Sequence, residues 1–88
     1  MKEKEYEKTL KALANQRRLR IIKYLKSKNT ATVSVIAEHL KLSFKSTSKH
    51  LAVLFSAGIL DKEQKSLSMF YSIAKPLPSI AKHIHDII

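Results

Sequence analysis

Apolar residues at helical spacing run through the first two thirds of the chain. Four stripes recur at intervals of three and four residues, the period of an α-helix with one buried face: Tyr6/Leu10/Leu13, Leu19/Ile22/Leu25, Val33/Ile36/Leu40 and Thr47/Leu51/Leu54. They predict helices over residues 4–13, 16–27, 33–40 and 44–57. Asn15, Thr32 and Ser43 each stand just before one of these helices, and we expect their side-chain oxygens to cap it.

The chain changes its period after its one glycine. Gly58 stands where a left-handed residue commonly ends a helix, so it predicts the stop of the fourth helix. Beyond it, Met69, Tyr71 and Ile73 alternate with other residue types, which predicts two antiparallel strands in a hairpin. The hairpin tip holds neither Gly nor Asn-Gly, so we expect a longer, mobile loop there.

This order of elements predicts a mainly α, α+β fold. Pro76 and Pro78 separate the hairpin from a last helix, whose apolar face consists of Ile80, Ile84, Ile87 and Ile88. Residues 28–30 are expected to form a loop. The short turn between the third and fourth helices has the proportions of a helix-turn-helix, and the hairpin adds a wing. Residues 1–88 are therefore predicted to form one winged helix-turn-helix domain with about five helices and one two-stranded hairpin wing.

The charge of the chain is large and uneven. Seventeen Lys and Arg stand against seven Asp and Glu, a formal net charge of +10. Residues 11–49 hold ten of the basic residues and one acid, Glu38. A small domain with so much charge of one sign is expected to bind a polyanion, nucleic acid before an anionic membrane surface. A Lys-rich surface that only keeps a small protein soluble is the alternative.

The composition argues against several other classes. The chain has no Cys, which removes disulfide frameworks and cysteine zinc sites. Gly58 alone cannot build a phosphate-binding glycine loop. No Ser-His-Asp or paired-carboxylate set indicates an enzyme, and no cofactor is expected. The most apolar stretch, residues 51–60, is about half of a membrane span, so we expect a cytoplasmic protein without a membrane partner.

The fourth helix is expected to enter the major groove of double-stranded DNA. Its solvent face carries Lys45, Ser46, Ser48 and Lys49 in the first two turns, where a recognition helix meets base edges. Small hydroxyls permit a close approach, and Lys reaches guanine acceptors or phosphates. An ordinary amphipathic helix with a hydrated Lys/Ser face is the alternative.

Further basic residues are expected to contact the DNA backbone. Arg17 and Arg18 lie on the second helix, and Lys62 and Lys65 lie on the hairpin, where they are predicted to reach phosphates or the minor groove. Lys26 is expected to contribute equally to binding of every sequence, because phosphate contacts hold a protein in register without specifying sequence.

Four segments resemble the ArsR family of winged-helix repressors. Residues 10–22 (LKALANQRRLRII) are similar to the family run aLa(d/n)xxRlxIL, and residues 33–43 (VSVIAEHLKLS) to its first reading-unit helix and turn. Residues 48–60 (SKHLAVLFSAGIL) resemble its most recognisable stretch, SxHLxxLxxAGLV, and residues 70–73 (FYSI) its returning wing strand, YYxL. The segments stand in the family order within residues 9–75.

The resemblance implies a homodimer whose interface is formed by the terminal helices, residues 1–14 and 78–88. The residues agree, because a domain of this size is too small to cover both terminal stripes. The expected interface residues are Tyr6, Leu10, Leu13, Ile80, Ile84, Ile87 and Ile88. The alternative is that both stripes pack on the chain's own core. A two-fold dimer would read a near-palindromic operator.

The resemblance also implies a function and a role for His50. The function is a sequence-specific transcriptional regulator that represses by occupying promoter DNA; a winged-helix module that binds another protein is the alternative. His50 matches the family's SxHL, where it would join the fourth helix to the domain. Metal sensing is common in the family, but the third helix here starts without Cys. His83 and His85 stand two residues apart, too far round one helix to hold one ion, so no metal is expected unless the two act across a dimer.

Overall fold

The computed structural model describes residues 2–88 and confirms the winged helix-turn-helix architecture. Its elements in chain order are α1 (Lys2–Leu13), α2 (Gln16–Lys28), β1 (Thr30–Thr32), α3 (Val33–Leu40), α4 (Phe44–Ser56), β2 (Leu60–Lys65), β3 (Ser68–Ile73) and α5 (Ser79–Ile87). Helix α2 lies at the centre and contacts every other helix as well as β1 and β3. The most deeply buried large side chains are Ile21, Leu25, Ile36, Leu51, Leu54, Ile59 and Leu60. Within residues 2–88 no helix is long and apolar enough to cross a membrane.

The three predicted caps are present. Asn15 Oδ1 accepts from the backbone N–H of Arg18 at 3.1 Å. The Thr32 hydroxyl accepts from Val35 N at 3.4 Å, and the Ser43 hydroxyl accepts from Ser46 N at 3.0 Å. Each cap satisfies an N–H group that the first turn of a helix leaves without a partner. The starts of α2, α3 and α4 are therefore determined by residues within three positions of them.

Gly58 ends α4 as predicted. Its φ is 75°, a left-handed conformation that costs a residue without a Cβ little. The N–H of Gly58 donates to the Phe55 carbonyl at 3.0 Å, and the N–H of Ile59 donates to the Leu54 carbonyl at 3.0 Å. This pair of bonds is the Schellman arrangement. It turns the chain directly from α4 into β2, so the wing starts at a defined place beside the helix.

The expected loop over residues 28–30 is wrong at both ends, because Lys28 is the last residue of α2 and Thr30–Thr32 form a third strand. Strand β1 pairs with β3 in the register Thr30↔Ser72, Ala31↔Tyr71 and Thr32↔Phe70, and the sheet order is β1-β3-β2. Three residues are too short for a period to be visible in the sequence. The strand exists because β3 offers it a free edge and because Ala31 is buried there.

The expected longer loop at the hairpin tip is also wrong. Lys65 pairs with Ser68, so only Ser66 and Leu67 connect β2 to β3. Ser66 has a φ of 58° and takes the left-handed conformation without being Gly or Asn. The left-handed conformation costs a non-glycine residue about 1–2 kcal/mol. The six residue pairs of the β2–β3 ladder offset this cost and hold the turn in place.

The terminal helices α1 and α5 pack on each other and on the core. Leu13, predicted for the dimer interface, is only 5% exposed within the single chain, so it is a core residue. Ile80, Ile84 and Ile88 are partly buried against the same core. Three predicted interface residues keep large exposed fractions: Tyr6 (43%), Leu10 (51%) and Ile87 (65%).

Thr47 generates a stability prediction. Its side chain is fully buried on the inner face of α4, and its hydroxyl finds no hydrogen-bond partner among the described residues. Valine has the same shape without the hydroxyl. We expect Thr47→Val to raise the free energy of unfolding in urea by about 1 kcal/mol, because it removes an unsatisfied buried polar group.

Thr9→Val is the matched control for that measurement. Thr9 is also buried, but its hydroxyl donates to the Glu5 carbonyl at 3.0 Å. Removing a satisfied hydroxyl is expected to leave stability unchanged or lower. Equal changes in the two variants, or a loss of stability in Thr47→Val, would contradict the assignment of Thr47 as unsatisfied.

Candidate nucleic-acid interface

The turn between α3 and α4 is tight and internally bonded. Lys41 adopts the left-handed conformation (φ 57°) at the end of α3. The Leu42 N–H donates to the Ala37 carbonyl at 3.0 Å, and Ser43 then caps α4. Apolar side chains from both helices are buried in the common core. The angle between α3 and α4 is thus held by backbone bonds on one side and by packing on the other.

Helix α4 has the two faces that the sequence predicts. Thr47, Leu51 and Leu54 are buried, whereas Lys45 and Lys49 are exposed. Ser46 and Ser48 are half-buried at the flanks. A shallow concavity on the outer surface is lined by Phe44, Lys45, Ser48, Lys49 and Ala52. The structure therefore gathers three of the four predicted base-reading residues around one surface depression, with Ser46 beside them on the same helix.

Phe44 is the member of this surface that the sequence patterns missed. It lies directly after the Ser43 cap, at the first position of α4, and 59% of it is exposed. Its position in the sequence could have indicated this exposure, because the first residue of a helix has no preceding helical turn to cover its side chain. An apolar ring thus stands beside the exposed lysines of α4.

Arg18 makes internal hydrogen bonds. Its Nε donates to the Ala12 carbonyl at 2.6 Å, and Nη2 donates to the Lys11 carbonyl at 3.0 Å, both in the last turn of α1. Nη1 lies 3.3 Å from Nδ1 of His50 on α4. Arg18 thereby links α1, α2 and α4, while its neighbour Arg17 is exposed to solvent. The two arginines that the sequence treats alike have different surroundings.

His50 accepts the contact from Arg18. A guanidinium only donates hydrogen bonds, so Nδ1 of His50 must carry a lone pair, which requires the neutral ring. Burial lowers the pKa of His50, and the nearby positive charges of Arg18 and Arg17 lower it further. The contact joins α4 to the rest of the domain, the role that the family resemblance implies for this histidine.

The two wing lysines occupy different parts of the hairpin. Lys65 is the last residue of β2 and lies next to the tip, with its Nζ 3.8 Å from a Glu63 carboxylate oxygen. Lys62 lies further back, and its Nζ is 4.3 Å from the centre of the Phe55 ring on α4. Leu67 at the tip is 97% exposed. Lys65 therefore flanks the tip as expected, whereas Lys62 contacts the side of α4.

Lys26 makes an internal contact in this conformation, and its uniform contribution to DNA binding stays a prediction. Its Nζ donates to the carbonyls of His85 at 2.8 Å and of Asp86 at 3.4 Å, at the end of α5. A lysine there satisfies carbonyls that the last turn of a helix leaves unpaired. Lys26 connects α2 to α5.

The end of α5 also holds a small ionic cluster. The Asp86 carboxylate is 2.7 Å from Lys82 Nζ and 3.1 Å from His85 Nδ1, and these hydrogen bonds lower its pKa to about 2. His83 is exposed. Across residues 2–88 no group of three or more His, Cys, Asp or Glu side chains is arranged to hold a metal ion.

A larger cleft lies elsewhere. It has a volume of about 700 Å³ and is bounded by the end of α2, the root of the wing and α5, with Leu25, Ile73 and Leu77 among its apolar lining residues. None of its lining residues belongs to α3 or α4. The cleft therefore lies apart from the lysine-bearing face of α4 and its shallow concavity.

Comparison with known proteins points to one family. The family model described as "Bacterial regulatory protein, arsR family" matches residues 15–62. The transcriptional activator HlyU of Vibrio cholerae is 35% identical over 65 residues, which cover 74% of this chain and 59% of that protein. The arsenical resistance operon repressor of Bacillus subtilis is 31% identical over 70 residues, 80% of this chain and 67% of that protein.

A solved structure agrees over nearly the whole fold. The homodimeric winged helix-turn-helix DNA-binding domain of Mb0332 from Mycobacterium bovis superposes with a TM-score of 0.82 at 25% identity. The match covers 96% of this chain and 74% of that one. The terminal helices and the wing therefore belong to the same architecture as the helix-turn-helix.

The Arg18–His50 contact predicts a pH dependence. Folding lowers the pKa of His50 below 6.5, its value in the unfolded chain, so the folded state disfavours the protonated ring. The contribution of this group to stability is therefore complete above pH 6.5 and is lost as the pH falls below 6.5. We expect urea stability to decrease from pH 7.5 to pH 5.5, and NMR titration of the His50 ring to give a pKa below 6.5. The Asp86 carboxylate does not affect this pH range, because it takes up its proton only at lower pH, between its ordinary pKa of 3.8 and its lowered pKa of about 2.

Arg18→Met provides the control. It removes the charge beside His50, so the His50 pKa should move back toward 6.5, and the loss of the bonds to Lys11 and Ala12 should lower stability at every pH. A His50 pKa at or above 6.5 in the unaltered protein, or one that Arg18→Met leaves unmoved, would refute the assignment.

Proposed function

As this chain belongs to the ArsR family of bacterial transcriptional regulators, we propose that it is a homodimeric repressor that binds specific sites in double-stranded DNA. Helix α4 reads bases in the major groove and the β2–β3 wing contacts the adjacent backbone. The observation that carries the proposal is the capped, solvent-facing first half of α4, which presents Lys45 and Lys49 beyond a turn only three residues long.

The electrostatics of the chain support a DNA partner. Residues 11–49 carry ten basic side chains and one acid. Arg18 and Lys26 donate hydrogen bonds internally, but a charge that is internally bonded still adds to the potential of the surface. Binding that neutralises phosphates releases counterions, so the affinity would fall steeply with salt.

The structure suggests a division of labour among the basic residues. Lys45 and Lys49 stand on α4, where they would reach base edges. Arg17 on α2 and Lys65 at the wing tip are exposed and would contact phosphates. Arg18 is better described as a positioning residue, because its bonds to α1 and its contact with His50 set the placement of α4. Lys62 would contribute from the side of the wing nearest α4.

The homodimer would form through α1 and α5. These helices pack on each other and leave Tyr6, Leu10 and Ile87 exposed, which a second copy would bury. Two-fold symmetry would place the two α4 helices about 34 Å apart, one turn of the duplex, and would require a near-palindromic site. Dimerisation in Mb0332, whose fold this chain shares, supports the same assembly here.

Repression rather than activation is the narrower part of the proposal. One curated relative is named an activator and another a repressor. This chain corresponds to little more than half the length of HlyU. We favour repression because a compact domain that covers promoter DNA blocks polymerase without any further surface. A promoter–reporter assay should show lower expression when the protein is present, and higher expression would reverse this assignment.

Binding assays should separate the base-reading residues from the phosphate contacts. Lys49→Ala is expected to weaken binding to a site selected from random duplexes about tenfold, with less effect on random DNA, because one base contact is worth about 1–3 kcal/mol. Lys65→Ala should weaken both by a similar factor and reduce the slope of log K against log salt by about one. Fluorescence anisotropy at several salt concentrations measures both.

Lys11→Ala is the charge-matched control, because Lys11 lies on α1 and pairs with Glu7. It should change affinity far less than either variant. Identical profiles for Lys49→Ala and Lys65→Ala would contradict the division of labour. Equal affinity for all duplexes would contradict sequence-specific binding, and a stable complex with a protein in the absence of any duplex binding would favour the interaction-module alternative.

The dimer interface can be tested by charge insertion. Leu10→Lys and Ile87→Lys should each shift the protein from dimer to monomer in sedimentation velocity, because a lysine buried at the interface would lose its hydration. Val35→Lys is the control, since Val35 is similarly exposed but lies on α3. A dimer that survives both variants, with unchanged circular dichroism, would place the interface elsewhere.

A further inference from the structure

We propose that Phe44 reads the C5-methyl group of a thymine in the major groove, so that the preferred DNA site of this chain carries a thymine beneath the start of α4. The inference rests on the DNA-binding function proposed above and assigns a base to one position of that site. It starts from the exposure of Phe44, which leaves 59% of a large apolar side chain in water.

Phe44 is the most exposed of the three phenylalanines: Phe55 is 41% exposed and Phe70 is half-buried, and each of those two rings has a lysine ammonium beside it. The Phe55 ring carries the Lys62 ammonium at 4.3 Å, and the Phe70 ring carries that of Lys65 at 5.6 Å. Within residues 2–88 Phe44 has neither a cation nor a second aromatic ring against it. An apolar ring left in water at one defined place of a basic surface is suited to burial by a partner.

The surroundings of Phe44 indicate which partner atom it would meet. Ser48 and Ala52 follow it at intervals of four residues along α4 and line the same concavity. Their small side chains leave open space beside the ring, while Lys45 and Lys49 flank that space with positive charge. The depression therefore combines an apolar wall with a cationic rim, which matches a base edge that carries a methyl group close to phosphates.

Thymine is the base that such a wall selects. Among the four bases in the major groove, thymine alone presents a methyl group, and phenylalanine contacts it by van der Waals packing. The amino groups of cytosine and adenine would lose hydration against the ring without gaining a hydrogen bond, which disfavours them. Phe44 would thus act by attraction for one base and by desolvation of the competing ones.

Deoxyuridine provides a direct test, because it keeps the hydrogen-bonding edge of thymine and lacks only the methyl group. A site is first selected from random duplexes with the unaltered protein, and each thymine is then replaced singly. We expect one thymine per half-site at which the replacement weakens binding about fourfold, the effect of exposing one buried methyl group. Phe44→Ala should bind the thymine and uracil versions of that site equally.

Leu67→Ala is the matched control, since Leu67 is an equally apolar and still more exposed residue that lies at the wing tip. It should retain the thymine preference at the same position. Selective binding with no uracil-sensitive thymine, or a preference that persists in Phe44→Ala, overturns this inference and leaves the proposed function standing. Failure of the unaltered protein to select any sequence overturns both.

Discussion

The burial of one face of α2 is the interaction on which the rest of the molecule depends. Ile21, Ile22 and Leu25 are at most 2% exposed, and the helix contacts all four other helices and two of the three strands among residues 2–88. A chain of 88 residues buries little more than about 60% of its unfolded surface, so it has room for one such centre. The positions of α4, the wing root and the terminal helices all follow from packing against it.

The polar residues of the same helix differ in their surroundings. Arg18 and Lys26 lie eight residues apart on α2, and each donates to carbonyls in the last turn of a terminal helix, Arg18 to α1 and Lys26 to α5. Arg17 stays in solvent. Basic residues that look equivalent in a count of charge thus have different environments, because a helix carries its side chains in all directions.

Much of the fold could be predicted from the sequence because its determinants are local. The caps Asn15, Thr32 and Ser43 act on N–H groups three residues away, and Gly58 acts on the last turn of α4. The hidden strand β1 and the two-residue turn were not predictable in this way. The first depends on an edge of β3 about forty residues away, and the second on the ladder that closes around Ser66.

In the candidate site, too, features with local causes could be predicted from the sequence, and contacts between distant residues could not. The helical period of 3.6 residues was enough to predict which face of α4 is buried and that Lys45 and Lys49 point outward. Four other features became visible in the folded chain alone. Arg18 reaches His50, 32 residues away, and Lys26 reaches the end of α5, 59 residues away. Leu13 belongs to the core, and the ring of Phe44 is left largely exposed. The direction of a long side chain and the cover over an apolar one depend on neighbours that are distant in the chain, and folding alone brings these together.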